Sequence, residues 1–123
     1  MAHIKTFYDL QVWQKAHQLV LTIYGLTRKF PDEERFVLSS QQKRAAVSVA
    51  SNIVEGFRRK SIKDSLRFYN ISQGSLEELK YQLLLAKDLK FITPKEFSDS
   101  HDLAEEVSKL LFRWIESNML KQN

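Results

Sequence analysis

The fold of this chain is decided by the stretch SIKDSLRFYNISQGSLEELKYQLLLAKD, Ser61 to Asp88. Large apolar residues recur in it every seven positions, at Ile62, Tyr69, Leu76 and Leu83. A repeat of seven keeps one face of an α-helix against a nearly parallel neighbour and winds the pair into a left-handed supercoil. Ser61 is a good N-cap, because the acid of "SIKD" follows the hydroxyl by three residues, as in a capping box. We therefore predict a long helix that begins at Ser61 and packs lengthwise against other helices.

Helices are also predicted near both ends of the chain. The first runs from about Asp9 to Lys29, with Thr6 or Asp9 as its N-cap. Pro31 ends it, because the residue before a proline is pushed out of the helical region. The last helix begins at Thr93. Its inward stripe consists of apolar residues at helical spacing: Leu103 or Ala104, Val107, Leu110, Leu111, Trp114 and Met119.

The remaining helix ends near Glu55, and its start is left open between two positions. "PDEE" favours a start at Asp32, since acids stabilise the first turn of a helix, whereas "LSS" indicates an interruption and a restart at Ser39. Four long helices joined by loops of roughly three to six residues fold back on one another. We predict an all-α protein, an antiparallel up-down-up-down four-helix bundle. It forms a single domain over residues 1–123, with a short arm at about 1–6 and a tail at about 120–123.

Composition restricts the class of protein. Hydrophobic residues make up 43% and charged residues 28% of the 123 positions, which is typical of a soluble globular domain. The absence of cysteine excludes disulfides, thiolate catalysis and cysteine-ligated metal sites. The first residues lack the pattern of a signal peptide, and no stretch approaches the ~18 apolar residues of a membrane span. We expect a cytoplasmic protein with no membrane partner.

Two glycines carry structural predictions. Gly56 is expected to end the second helix in a left-handed conformation, so that Phe57 to Lys60 form a tight turn. Gly74 lies in the middle of the third helix, where glycine costs ~1 kcal/mol relative to alanine. We expect it to offset that cost by letting the third helix approach Ala45 or Ala46 closely, together with Ser72 and Ser75. The alternative is a glycine that is merely tolerated.

The sequence offers little material for catalysis. The three histidines, His3, His17 and His101, do not form the Glu-x-x-His pairs of ferritin-like metal bundles. Glu96 and Asp99 lie at the start of a helix, where carboxylates stabilise the positive end of the helix dipole without any ligand. We therefore predict a protein that is not an enzyme and that has no cofactor and no bound metal.

Positive charge is concentrated in the middle quarter of the chain. Residues 41–70 contain seven cations and two acids, whereas the rest contains twelve cations and thirteen acids. Grouped cations can neutralise neighbouring phosphates, with affinity supplied by counterion release. The candidate contacts to RNA or DNA are these seven cations: Lys43, Arg44, Arg58, Arg59, Lys60, Lys63 and Arg67. Basic residues after a helix also pair with its free carbonyls, so a solvated turn without ligand stays open as the alternative.

Apolar surface in excess of one core predicts a second kind of partner. Leu83, Leu84 and Leu85 are consecutive, so a single helical stripe cannot bury all three. A small bundle that is apolar on more than one side usually buries the second side against another subunit. We expect a homo-oligomer. Phe57 and Tyr69 are expected in the core, although their rings would stack on bases if exposed.

Three segments resemble one known family: "DLQVWQKAHQL", "QQKRAAVSVASNIVEGF" and "FYNISQGSLEELKYQLLLAKDL". They are similar to the small four-helix-bundle proteins encoded within intervening sequences of bacterial 23S rRNA genes, which are sometimes labelled ribosomal-protein-like. The signature positions look architectural: Ser51, Asn52, Ile53, Glu55, Gly56, Gly74, Ser75, Glu78 and Leu79. Arg58 stands where such proteins often have a further glycine.

The resemblance implies a ring-like homopentamer, akin to the accessory variability protein of diversity-generating retroelements, which is basic and binds nucleic acid. The reverse-transcriptase partner of that relative is not carried over to this chain. Our leading hypothesis is a non-enzymatic, oligomeric bundle that binds structured RNA or DNA non-specifically through phosphate contacts. The runner-up is a protein-binding assembly module whose basic turn is only solvated.

Overall fold

The computed structural model of the protein describes residues 3–121. This part of the chain contains four α-helices and two short 3-10 turns, and no strand. The helices are α1 (Gln11–Thr27), α2 (Leu38–Arg58), α3 (Ile62–Asp88) and α4 (Pro94–Lys121), and the turns are Phe7–Asp9 and Asp32–Glu34. No helix within these bounds combines the length and the apolar character that crossing a bilayer requires. The predicted all-α class is confirmed.

The helices form an antiparallel ring in which each one packs against two others. Consecutive helices are in contact, and α1 closes the bundle against α4. Two ion pairs show the direction of that closure, because Lys15 meets Glu106 whereas Lys29 meets Glu96. Lower numbers on α1 thus pair with higher numbers on α4, as antiparallel helices require. The up-down-up-down arrangement agrees with the prediction.

The seven-residue repeat of α3 faces the core as predicted. Tyr69, Leu76 and Leu83 are buried there, with Ile62 partly exposed at the first turn. α4 contributes Ala104, Val107, Leu111 and Ile115 to the same core. The prediction for Met119 was wrong, since its side chain is 50% exposed. It lies one turn beyond Ile115, near the end of α4, where the neighbouring helices no longer cover that face.

The first helix begins later than predicted because an acid holds the preceding residues in a separate turn. The Asp9 carboxylate accepts hydrogen bonds from the backbone N–H groups of Lys5 (2.9 Å) and Thr6 (3.1 Å). These bonds lower the pKa of Asp9 below its usual value. Of the two starts left open for α2, the structure favours the later one, at Leu38. "PDEE" forms only the isolated 3-10 turn.

The prediction that Gly56 ends α2 in a left-handed conformation was wrong. No glycine has a positive φ, and α2 continues through Gly56 to Arg58. Gly56 is a contact residue instead, because a Cβ built on it would lie 2.4 Å from Cε1 of the Tyr69 ring. Its carbonyl accepts a hydrogen bond from the Ser65 hydroxyl at 2.8 Å. The glycine therefore allows α2 and α3 to approach closely where they meet at the turn.

The close-packing role predicted for Gly74 was also wrong. No atom lies within 4 Å of a Cβ built on it, and the residue is exposed on α3. Its neighbours do contact α2: the Ser72 hydroxyl donates to the Val49 carbonyl at 2.8 Å, and Ser75 bonds with Ser48 at 2.8 Å. The small residues of the two helices thus meet through hydroxyl groups, while Gly74 faces outward.

Candidate nucleic-acid interface

The connection between α2 and α3 is short and cationic. α2 ends at Arg58, residues Arg59 to Ser61 form the link, and α3 begins at Ile62. Ser61 caps α3 as predicted, since its hydroxyl accepts the Asp64 backbone N–H at 3.2 Å. The link is thus only three residues long, with Lys60 at its centre, and it keeps the cations of the two helix ends close together. We call this end of the bundle, where α2 ends and α3 begins, the basic end.

Arg59 is the most constrained cation of the basic end. Its guanidinium donates to the Glu55 carboxylate at 2.7 Å and lies 4.4 Å from the centroid of the Phe68 ring. An exposed ion pair at this spacing on a helix contributes only ~0.3–0.5 kcal/mol. The pair therefore orients Arg59, and an incoming phosphate can compete with Glu55 for it.

A groove of about 410 Å³ lies between this connection and the last turns of α4. Its cations are Arg59, Lys60 and Lys121, and no carboxylate lines it among the residues that the structure describes. Trp114 forms part of its wall and donates its indole N–H to the Tyr69 hydroxyl at 2.9 Å. We call it the basic groove. The basic groove is suited to an anion, because the only carboxylate paired with its described cations, that of Glu55, lies outside its lining.

Four of the predicted cations extend this positive surface: Arg58, Lys60, Lys63 and Arg67. All four side chains are exposed. Within residues 3–121, none of them has a carboxylate oxygen within 4.0 Å. Lys63 and Arg67 are one helical turn apart on α3 and therefore share a face. Their charge remains available for a ligand that approaches the basic end.

The structure does not bring Lys43 and Arg44 to the basic end. They precede Arg58 by at least fourteen residues of the same helix, which is about 21 Å along its axis. Lys43 lies over the Tyr24 ring at 5.6 Å, and Arg44 donates a hydrogen bond to the Gln41 side chain. Both line a separate hollow of about 460 Å³ beside Phe36. The seven predicted cations thus divide into a group of five and a distant pair.

A second groove at the basic end involves residues that the sequence reasoning did not select. The arm residues Lys5 to Tyr8 line a groove of about 420 Å³ together with four residues of α2: Val54, Glu55, Phe57 and Arg58. Phe57 lines this groove and the basic groove alike. We call it the arm groove. The signal in the sequence was the aromatic spacing of "TFYDLQVW", which the search for cations passed over.

The aromatic residues beside the arm groove form a stacked cluster. The rings of Phe7 and Tyr8 are stacked with centroids 4.3 Å apart, and Trp13 meets both of them edge-on. His17 stacks on Trp13 at 5.2 Å, which continues the cluster along α1. Stacked and edge-on pairs stabilise such clusters beyond the area that they bury. The cluster fixes the arm against the bundle.

Several titratable side chains elsewhere are engaged in surface ion pairs. The hydrogen bond from Lys80 lowers the pKa of Glu105, and the one from Lys29 lowers the pKa of Glu96. Within residues 3–121, no three His, Asp or Glu side chains come close enough together to hold a metal ion. His101 packs against the Phe97 ring, with centroids 5.2 Å apart. The cations of the basic end are therefore a stronger candidate for a functional site than these ion pairs.

Comparison with known proteins identifies relatives of this bundle. The sequence profile of a family described as 23S rRNA-intervening sequence protein matches residues 8–113. The fold is similar to a crystal structure from Bacteroides thetaiotaomicron, described as a protein with unknown function from the S23 ribosomal protein family. The two chains are 28% identical, with a TM-score of 0.78, over 85% of this chain and 97% of that chain. No curated protein matches the sequence. The family match includes the α2–α3 connection, and Lys5 and Lys121 lie outside it.

Proposed function

This chain belongs to the 23S rRNA-intervening sequence protein family, and we propose that it is a non-enzymatic protein that binds RNA or DNA through phosphate contacts at its basic end. The observation that carries the proposal is the basic groove, which is lined by three cations and, among the residues that the structure describes, by no carboxylate. Lys63 and Arg67 continue the positive surface along α3. These cations contact phosphates and not base edges, so the binding they supply is non-specific.

The number of available cations sets the expected salt dependence. Arg58, Lys60, Lys63, Arg67 and Lys121 have no ion-pair partner among residues 3–121. If all five contact phosphates of a duplex, the slope of log K against log salt is about −4.5, from ~0.9 per contact. Arg59 adds to this slope only when a phosphate displaces Glu55. A slope of this size corresponds to binding that is strong at low salt and weakens steeply as salt is added.

Fluorescence anisotropy with a labelled duplex at several salt concentrations tests the proposal. The double substitution Lys60→Gln with Lys63→Gln removes two contacts, and we expect it to reduce the slope by about 1.8. The matched control is Lys90→Gln with Lys95→Gln, which changes net charge equally at the opposite end of the bundle. No binding at low salt, or equal losses from the two double variants, would refute the proposal.

A separate surface supports the proposal that the protein forms a homo-oligomer. Phe36 is 84% exposed, and Tyr24 and Val47 lie beside it around the hollow that also contains Lys43 and Arg44. Large exposed apolar side chains grouped in this way mark interaction surfaces. The homopentamer implied by the family resemblance remains a proposal with this surface as its candidate contact. The alternative that the patch binds a different protein predicts a monomer in purified solution.

Sedimentation velocity tests the assembly. We expect the purified protein to sediment as a species larger than its 14.5 kDa chain, and Phe36→Ser to shift it toward the monomer. Leu120→Ser is a suitable control, because Leu120 is also highly exposed but lies at the end of α4. A monomer at all micromolar concentrations would contradict the proposal.

A further inference from the structure

We propose that the arm groove binds an unpaired nucleobase, so that the protein prefers single-stranded nucleic acid to duplex. This inference rests on the proposed function, because the phosphates of the same strand would occupy the basic groove. Phosphate contacts alone do not distinguish single-stranded nucleic acid from duplex, so the inference narrows the class of nucleic acid that the protein binds. Three features of the arm groove support it: an exposed ring, a fixed backbone and continuity with the cations.

The exposed ring belongs to Tyr8. It is 62% exposed, although Phe7 stacks on it and Trp13 meets it edge-on. Phe7 covers one face of the Tyr8 ring, so the exposed part of the ring belongs largely to its remaining surface. Base stacking on such a ring is worth ~1–3 kcal/mol and tolerates any base, because every base has a π-face. Tyr8 is therefore positioned to act as a stacking platform.

The backbone that carries Tyr8 is held by hydrogen bonds at three points. Asp9 binds the N–H groups of Lys5 and Thr6, and the Gln14 side chain donates to the Tyr8 carbonyl at 2.8 Å. Ordering a loop on binding costs free energy, and a loop that is already ordered avoids that cost. The groove beside it measures about 420 Å³, within the roughly 300–1,000 Å³ of small-molecule sites. The site is thus largely formed before any ligand arrives.

Charge and continuity connect this platform with the basic groove. Lys5 and Arg58 line the arm groove, and the one carboxylate among the described residues of its lining, that of Glu55, is paired with Arg59. Phe57 separates the two grooves and lines both. When a phosphate of a single strand lies in the basic groove, only the Phe57 side chain separates that groove from the arm groove, where a neighbouring base of the same strand can bind.

Duplex cannot use this platform, because neighbouring base pairs cover both faces of each base. Unpaired bases can be splayed out and stacked on aromatic side chains. The phosphate contacts are common to both ligands. The preference for single strands consequently depends on Tyr8, and not on the cations.

The test compares three fluorescent ligands of equal length: a single strand, its duplex and a single strand with abasic sites. We expect Tyr8→Ala to weaken binding of the normal single strand at least fivefold and to leave duplex binding within twofold. Tyr8→Phe should retain the wild-type affinity. The control is Tyr81→Ala, because Tyr81 is also 62% exposed and lies about 28 Å along α3 from its first residue. We expect wild-type protein to bind the abasic strand about as weakly as Tyr8→Ala binds the normal one.

The outcomes separate the two proposals. Salt-dependent binding that is equal for the single strand and the abasic strand, or equal losses from Tyr8→Ala and Tyr81→Ala, would overturn the base site and leave phosphate binding intact. Absence of binding to all three ligands at low salt would overturn both. Thermal unfolding of each variant, followed by circular dichroism, verifies that the bundle is folded. Tyr8→Phe provides a second folded reference.

Discussion

Substitution of Gly56 by alanine should destabilise the protein, although alanine is the better helix former. A Cβ at this position would lie 2.4, 2.7 and 2.9 Å from three atoms of the Tyr69 ring. Carbon atoms in favourable contact are separated by about 3.5–4.0 Å, so the ring would have to retreat by about 1 Å. Tyr69 is buried, and its hydroxyl accepts the Trp114 indole N–H at 2.9 Å. The ring is thus restrained on both sides.

The magnitude follows from three opposing contributions. Overpacking of a core costs ~1–3 kcal/mol, and a retreating ring also loses the hydrogen bond from Trp114, worth ~1 kcal/mol. The higher helix propensity of alanine offsets ~1 kcal/mol. We expect Gly56→Ala to lower the free energy of unfolding by about 2 kcal/mol, which corresponds to roughly 8 °C in Tm for a domain of this size. Denaturant titration and thermal unfolding at one protein concentration measure both quantities.

Gly74→Ala is the matched control within the same protein. Gly74 also lies in the middle of a helix, but a Cβ there would meet no atom within 4 Å. Only the helix propensity changes, so this variant should be stabilised by ~1 kcal/mol. The two substitutions are chemically identical and should act in opposite directions. An increase in Tm for Gly56→Ala similar to that for Gly74→Ala would refute the reasoning.

Three further predictions concern single hydrogen-bonded groups. Hydrogen bonds from two backbone N–H groups lower the pKa of Asp9 from 3.8, so the Asp9 carboxylate holds the arm fully above pH 3.8 and releases it as the pH falls through the lowered pKa. The amide chemical shifts of the arm should therefore move below pH 3.8, and Asp9→Ala should show the same moved shifts at pH 7. Burial raises the pKa of the Tyr69 hydroxyl above 10.0, so the stability that this hydroxyl contributes is present below pH 10.0 and is lost at higher pH, as the hydroxyl ionises. Wild type should therefore be more stable than Tyr69→Phe by ~1 kcal/mol at neutral pH, from the Trp114 bond, and this advantage should disappear on alkaline titration. Ser72→Ala removes the hydroxyl bond to the Val49 carbonyl and should cost ~1 kcal/mol in denaturant titration, and an unchanged midpoint would show that the bond contributes nothing.

The fold could be predicted because its information is local and periodic. The repeat of Tyr69, Leu76 and Leu83 identifies the buried face of α3, and Ser61 identifies its start. The antiparallel direction of consecutive helices then follows, because the connections between them are short. The start of α2 was less certain, because the acids of "PDEE" suit either a long helix or an isolated turn. The structure contains the isolated turn.

The role of Gly56 could not be predicted from local sequence. Glycine near cations at the end of a helical pattern usually marks a helix end. The decisive contact is with Tyr69, thirteen residues later, and depends on how closely α2 and α3 approach. The same limitation affected Gly74, whose environment depends on which way α3 is rotated. A side chain that is absent leaves no periodic signal for either role.

The candidate site was only partly predictable because it gathers residues from both ends of the chain. Arg59 and Lys60 are adjacent in sequence and were selected as a charge cluster. Lys5, Tyr8 and Lys121 join them only through the antiparallel arrangement, which returns α4 to the same end as the arm. Lys43 and Arg44 were selected for sequence proximity, yet helix length places them elsewhere. Counting charge along the chain therefore finds part of a surface that the fold completes.

The hydroxyl bonds between α2 and α3 have a consequence for the order of folding. They join residues only 9 to 27 positions apart, whereas the ion pairs that close α1 against α4 join residues 67 and 91 positions apart. Closing a longer loop costs more chain entropy, so the hairpin of α2 and α3 should form early and the outer helices should dock afterwards. The basic groove needs Lys121 at the end of α4, and the arm groove needs the residues before α1. Both grooves therefore come into existence in the last folding step, and a partly folded molecule carries the cations without the surface that organises them.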